Sequence, residues 1–355
     1  MDGYCLNNAT RIEIMCDLLT RIDRELLLMP AGHGKVAVSN HLQGRIFCTL
    51  DGELIHRFDA ALAASPSPDR FNNLGGNSLW PGPEGGPVAF NYPADGEWQV
   101  QPAVNRQQTV TVQFRPDKTV IAKKMELRNR KNVAVRLDYS RTVLPLDISA
   151  IATACELHGI AYRTLDELCA GESYSVDDAL FCAWSLEQFP GGENVVAFGR
   201  TRQDAQAAIN RDYYGDPGQR LQTNGRFFRL ELGGTARFQI GLRHQSGPDL
   251  IGAYDRQRSL LLLRRAWHQD GFYFNIADND QPQGPTSASD AYSIFNGGEL
   301  GFFELETIAS LQFNSSGGPG NSTLWSETMI FKGTPQRLGQ CLEQYFQIPA
   351  SLITA

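Results

Sequence analysis

The sequence predicts an all-β protein with a helix at each end, and three observations carry that expectation. From Lys35 onward, short runs alternate apolar with polar residues, the period of half-buried antiparallel strands. Those runs are broken by turn formers, with 34 Gly and 18 Pro among 355 residues. Apolar residues at three- and four-residue spacing, the mark of a helical stripe, occupy the two ends of the chain.

The first expected element is a helix. Thr10 and Glu13 make a T-x-x-E capping box, and Ile12, Met15, Leu19, Ile22 and Leu26 then form one apolar stripe that Pro30 ends. Packing on the body of the protein and dimerisation both suit such a helix. Residues 1–30 are therefore expected as a helical extension and residues 31–355 as a single β domain, since large sandwiches often exceed the usual domain size.

Strands are expected at residues 36–38, 45–50, 109–114, 119–123 and 133–139. Residues 62–97, rich in Gly, Pro, Asn and Ser, read as a long loop. A short polar helix is expected at residues 203–209. Asn224-Gly225 and Gly233-Gly234 are turn signals flanking a strand at 227–232, and Asp270-Gly271 precedes another at 272–276. Thr334-Pro335 opens a closing helix whose stripe is Leu338, Cys341, Leu342 and Tyr345.

Charge and composition exclude several functions. Thirty-two Lys and Arg against 39 Asp and Glu give a net charge of −7, with no dense basic run, so a nucleic-acid footprint is not expected. Seven cysteines, an odd number at wide spacings with no C-x-x-C pair, support neither a zinc ribbon nor a redox dithiol. Several sit in apolar runs and suggest a reducing compartment. Glu13, Asp17, Asp23 and Glu25 interrupt any signal-peptide core, and no apolar run is long enough to span a membrane. A cytoplasmic protein without a membrane partner is the expectation, so the N-x-[ST] triplets at Asn8, Asn314 and Asn321 carry no weight. The six His are scattered, and Gly32-His33-Gly34-Lys35 lacks the spacing and the Ser/Thr of a phosphate cradle. Neither a metal nor an organic cofactor is expected.

The residues with most chemistry lie at 302–307, Phe-Phe-Glu-Leu-Glu-Thr. In a strand, residues two apart share a face, so Glu304 and Glu306 point one way while Phe303, Leu305 and Thr307 point the other. Two adjacent carboxylates repel, which fits a wet strand edge, pairing with Arg, or the floor of a cleft. In a cleft, one of them gains the raised pKa of a general base.

Three collinear segments resemble uncharacterised bacterial proteins related to aldose 1-epimerases, the galactose mutarotase-like proteins. Leu74-Gly75-Gly76-Asn77-Ser78-Leu79-Trp80-Pro81-Gly82-Pro83-Glu84-Gly85-Gly86 is similar to their Gly/Trp/Pro-Glu loop, and Asp249 to Asp255 to their "LGSYD" segment. Phe295 to Thr307 is similar to "YNDG…FYELET". Weaker matches at Gln43-Gly44-Arg45, at Tyr139-Ser140-Arg141-Thr142 and at Ala183-Trp184-Ser185-Leu186 keep the same order. The resemblance implies a β-supersandwich with a sugar-sized cleft, a carbohydrate partner and, in true mutarotases, interconversion of anomers by a base and an acid. It leaves open a binding protein without turnover and a glycan lyase or hydrolase on the same fold, and oligomeric state is not legible.

On that basis Glu306, Glu304 and His244 are the candidate catalytic groups, with Glu306 as the base. Candidate sugar-binding residues are Asn77, Trp80, Glu84, Arg45, Arg141, Gln239 and Asp255. Trp80 either stacks on a sugar face or plugs the core, and Glu84 either accepts hydroxyls or caps a turn. Asn77 and Asp255 are also turn formers, Arg45 and Arg141 either pair with the glutamates or lie exposed, and His244 sits where a surface loop is the alternative. Ser78 stands where the family usually has Arg, Gln239 where it tends to have Lys, and the two His motifs of true mutarotases are absent.

Overall fold

A computed structural model describes residues 19–354 of the chain, except 95, 212, 214 and 278–288. Its strands, numbered β1 to β21 in chain order, form two antiparallel sheets. The first sheet runs β1 (Leu27–Ala31), β2 (Gly34–Ser39), β3 (Arg45–Leu50), β5 (Gly76–Gly82), β10 (Cys182–Pro190), β19 (Phe302–Ile308), β18 (Asp290–Asn296), β15 (Phe238–Arg243) and β12 (Ile209–Asn210), with β4 (Glu53–Leu54) on β3. The second runs β13 (Leu221–Asn224), β14 (Phe227–Glu231), β11 (Val195–Arg200), β16 (Leu250–Asp255), β17 (Leu260–Trp267), β21 (Pro319–Lys332), β9 (His158–Ala170), β8 (Ala134–Leu146), β7 (Lys118–Arg128) and β6 (Val110–Arg115), with β20 (Gln312–Phe313) on β21.

The sheets are packed face to face. Val36, Ile46, Phe303, Leu305 and Ile240 of the first sheet meet Tyr162, Ile251, Leu262 and Ile330 of the second in one buried cluster. Long-range pairing of this kind gives each strand two covered faces only where something else covers the outside. For the second sheet that cover is the C-terminal helix Pro335–Cys341, whose Leu338 and Cys341 pack with Leu261, Leu263 and Phe331. Thr334 caps it by accepting from the Arg337 amide, and Pro335 occupies its first turn, as the sequence pattern anticipates.

Three expectations need correction, and a fourth lies partly outside the described residues. The stripe of the N-terminal helix falls partly outside the described residues: Thr10, Ile12, Glu13 and Met15 lie there. Residues 19–22 are helical, but the expected boundary at residue 30 falls inside β1, where Pro30 pairs with Lys35 at the edge of the sheet. An edge strand needs no inward donor from every residue, so proline is tolerated there. Residues 62–97 are not one loop, because β5 crosses the middle of the first sheet within them. Its proline fits because β3 pairs β5 only at Ile46 and Asn77, leaving the Pro81 side without a ladder partner. Residues 272–276 form no strand; a single bridge joins Phe272 to Leu311.

Candidate functional site

The outer face of the first sheet, turned away from the second, carries a cavity of about 500 Å³. Strand parity builds its floor. Along β19, Phe303 and Leu305 enter the core between the sheets, so Phe302, Glu304 and Glu306 face the cavity. Along β10, Trp184, Leu186 and Gln188 face the same way, with Leu186 opposite Glu306 and Gln188 opposite Glu304. Ser78 and Trp80 of β5 and Gln239 of β15 complete that surface.

Two consecutive glycines let the chain enter β5. Gly75 and Gly76 have φ of 84° and 71°, and a Cβ on Gly75 would stand 2.0 Å from the Arg57 carbonyl oxygen. The Gly75 carbonyl, freed by this close approach, accepts from Arg45 Nη1 at 2.6 Å.

The aromatic wall is continuous. Phe71 meets Trp80 edge-on at 5.4 Å and Trp98 at 5.8 Å, and Trp80 meets Trp184 at 6.0 Å. Trp98 Nε1 donates to Glu84 Oε1 at 2.7 Å, which ties the loop after β5 to the cavity rim. On the other side, Arg57 lies over the Phe302 ring and Arg237 over the Phe295 ring.

Glu304 and Glu306 lie side by side at the centre of the floor, two residues apart on the cavity face of β19. Trp184 Nε1 donates to Glu306 Oε2 at 2.8 Å, and Gln239 Nε2 reaches both Glu306 oxygens at 3.2 and 3.3 Å while donating to Ser293 Oγ at 2.6 Å. Gln188 Nε2 donates to Glu304 Oε1 at 2.6 Å. Burial pushes both carboxyls well above the ordinary glutamate value, and the charge of Glu304 raises Glu306 further. Arg45 and Arg57 pull Glu304 back down, but neither forms an ion pair with it. Burial in turn lowers the Arg45 guanidinium to about 10, and its Nε has no hydrogen-bond partner.

Of the ten residues singled out in the sequence, six surround this cavity: Glu304, Glu306, Trp80, Glu84, Arg45 and Gln239. Four do not. Asn77 alternates with Ser78 and so points between the sheets, where its amide donates to the Tyr162 hydroxyl at 2.9 Å. Arg141 lies there too, with Nε and Nη2 on the two oxygens of Asp166 at 2.7 and 3.1 Å rather than on the glutamates. Asp255 accepts the amides of Gln257 and Arg258 at 3.0 Å in the turn after β16, on the second sheet. His244 begins a short 3-10 turn and stacks on Tyr273 at 3.9 Å.

Trp184, Gln188, Phe71, Trp98 and Arg57 were not anticipated. The alternation Trp184, Leu186, Gln188 is a period-two signal that could have found two of them. Arg57 and Trp98 reach the site through chain reversals that leave no local pattern. Among the described residues, no cluster of three or more His, Cys, Asp or Glu is disposed to hold a metal, and no helix is long and apolar enough to cross a membrane.

A family model described as a family of unknown function, DUF6786, matches residues 14–355. Curated proteins give no match. Among solved structures the chain is similar to a candidate aldose 1-epimerase of Escherichia coli K12, at 13% identity over 86% of this chain and 98% of that one, with a TM-score of 0.50. A galactose mutarotase-related enzyme of Lactobacillus acidophilus gives 11% identity, 87% and 98% coverage and 0.47. A galactose mutarotase-like protein of Lactobacillus casei gives 9% identity, 86% and 99% coverage and 0.48. The architecture of this chain is that of the galactose mutarotase-like fold. Identity this low carries the fold and not the chemistry.

Proposed function

The chain belongs to DUF6786, a family of unknown function, and from that premise we propose that the cavity over β5, β10 and β19 binds a carbohydrate and interconverts its anomers, with Glu306 as the base. The observation that carries this reading is the combination of a buried carboxyl pair with a wall of indole and phenyl rings in one cavity. Aromatic faces suit the C–H faces of a pyranose, and carboxyl, carboxamide and guanidinium groups suit its hydroxyls. The described solved structure from Escherichia coli, named for an aldose 1-epimerase, supports the same reading at the level of the fold.

Anomer exchange needs a proton taken from the C1 hydroxyl and a proton given to the ring oxygen. A carboxyl held above its ordinary value by burial is suited to such exchange near neutral pH. The test has two arms. Thermal melting against a panel of mono- and oligosaccharides reads binding, and a panel without a shift counts against any carbohydrate role. Polarimetry of freshly dissolved α-anomers of glucose, galactose and xylose reads turnover. Wild type should speed the approach to equilibrium, and Glu306→Gln should not. Stabilisation by sugar with no acceleration over the uncatalysed rate would leave binding without turnover, and equal acceleration by both proteins would remove Glu306 as the base.

A further inference from the structure

The proposed reaction needs an acid as well as a base, and no histidine is among the described residues lining the cavity. His244, placed by sequence as an acid candidate, is stacked on Tyr273 in a turn elsewhere. The carboxyl beside Glu306 in the cavity is Glu304, from the same strand and the same face. The two groups are almost wholly buried and side by side in one cavity, where two like charges oppose each other and one shared proton relieves the repulsion.

We propose that Glu304 and Glu306 act as one proton-sharing unit, in which the protonated carboxyl supplies the acid and the ionised one the base. This inference rests on the carbohydrate reading above and deepens it. Its geometric basis is that the two oxygens to be served, the ring oxygen and the anomeric hydroxyl, are bonded to the same carbon. A side-by-side carboxyl pair can address both at once.

The step balances within the pair and the sugar. The carboxylic acid gives its proton to the ring oxygen as the C1–O5 bond breaks. The carboxylate takes the proton of the C1 hydroxyl as the C1–O1 bond becomes a carbonyl. The pair ends with its proton on the other member and its charge unchanged. Rotation about C1–C2 then presents the other face of the carbonyl, and the reverse transfers close the ring. Each glutamate is therefore acid in one direction and base in the other.

The neighbours fit a unit of one negative charge. Trp184 and Gln239 donate to Glu306, and Gln188 donates to Glu304. Arg45 from β3 and Arg57 beyond β4 stand near Glu304, Tyr213 near Glu306, and Arg264 of β17 lies beneath the strand. These fixed positive charges oppose double protonation of the pair, and mutual repulsion with burial opposes double ionisation.

The experiment is polarimetric anomerisation of α-glucose, α-galactose and α-xylose by wild type, Glu304→Gln and Glu306→Gln, with the wild-type rate followed against pH. Loss of either carboxyl should cut the rate by about 10²–10⁴-fold while sugar-induced thermal stabilisation persists. The wild-type profile should be bell-shaped, since both the doubly protonated and the doubly ionised pair are inactive. A Glu304→Gln enzyme at wild-type rate overturns the unit and leaves Glu306 as a lone base. A one-limbed wild-type profile overturns it also, and remains readable if a variant fails to fold. Wild type that accelerates none of the sugars overturns this inference together with the reading on which it rests.

Discussion

Glu187 and Glu306 stand one residue out of step on paired strands, Glu187 opposite Leu305 and Glu306 opposite Leu186, so that one carboxyl enters the space between the sheets and the other the cavity. Both are fully buried, yet their chemistry diverges. Burial works to raise the Glu187 carboxyl, but Arg264 at 3.2 Å, His56 at 2.8 Å and Thr328 at 2.6 Å bring it down to about 2. Glu306 has no guanidinium in contact; Trp184 and Gln239 donate to it, Glu304 lies beside it, and burial prevails. The same residue type is held as an anion on one face of the sheet and toward its neutral form on the other.

The raised pair makes stability depend on pH. The folded chain keeps protons that the unfolded chain releases above the ordinary value of 4.5. Stability from these groups is therefore complete below that value and declines as pH rises through the elevated folded values. Urea unfolding at about pH 5 and about pH 9 should show wild type losing stability toward alkaline pH, by about 1.4 kcal/mol for each unit of elevation. Glu306→Gln should flatten that decline. Parallel declines in both proteins would contradict the raised values.

Trp98 is 37% exposed and closes the aromatic wall from a loop, so its removal leaves no core void. Trp98→Ala should weaken sugar binding by up to about tenfold, the scale of about 0.5–1.5 kcal/mol for one aromatic contact. Titration calorimetry reads the affinity, and the melting temperature should barely move. An unchanged affinity would remove Trp98 from the binding surface.

Arg141 should matter for stability and not for sugar. Its pairing with Asp166 is fully buried between the sheets. Arg141→Ala leaves that carboxylate unpaired and should cost about 3–5 kcal/mol in urea unfolding, with sugar affinity retained at temperatures where the variant is folded. His244→Ala, outside the cavity, should leave both affinity and anomerisation rate intact.

Gly75→Ala tests the entry into β5. A left-handed φ and a Cβ 2.0 Å from the Arg57 carbonyl oxygen leave no room for a side chain. The substitution should destabilise by more than about 2 kcal/mol, since the backbone conformation alone costs about 1–2 kcal/mol. A melting temperature equal to wild type would mean the chain can take another path there.

Much of the floor was legible because β19 is written in alternation. Phe303, Leu305 and Thr307 against Glu304 and Glu306 fix which side faces the core, whatever sheet the strand joins. The strand β5 was not legible. Its Gly, Asn and Pro read as a loop, and only its burial on both faces by the tertiary structure makes it a strand. That misreading also misplaced Asn77. In a loop Asn77 and Trp80 can share a side, whereas in a strand they take opposite faces. Arg141 was misassigned because a guanidinium reads as exposed or site-facing until its buried partner is known, and Asp166 lies 25 residues away on another strand.

Arg264 reaches from the second sheet to the Leu305 carbonyl at 2.6 Å, between the two glutamates, and is itself held by Glu187. The strand bearing the carboxyls is thus pinned from behind by the opposite layer, while two rings of the wall, Phe71 and Trp98, hang on loops in front. Changes at residues 71 and 98 can therefore reshape the rim without moving Glu304 and Glu306. The rim and the floor of the cavity are thereby anchored by different parts of the chain.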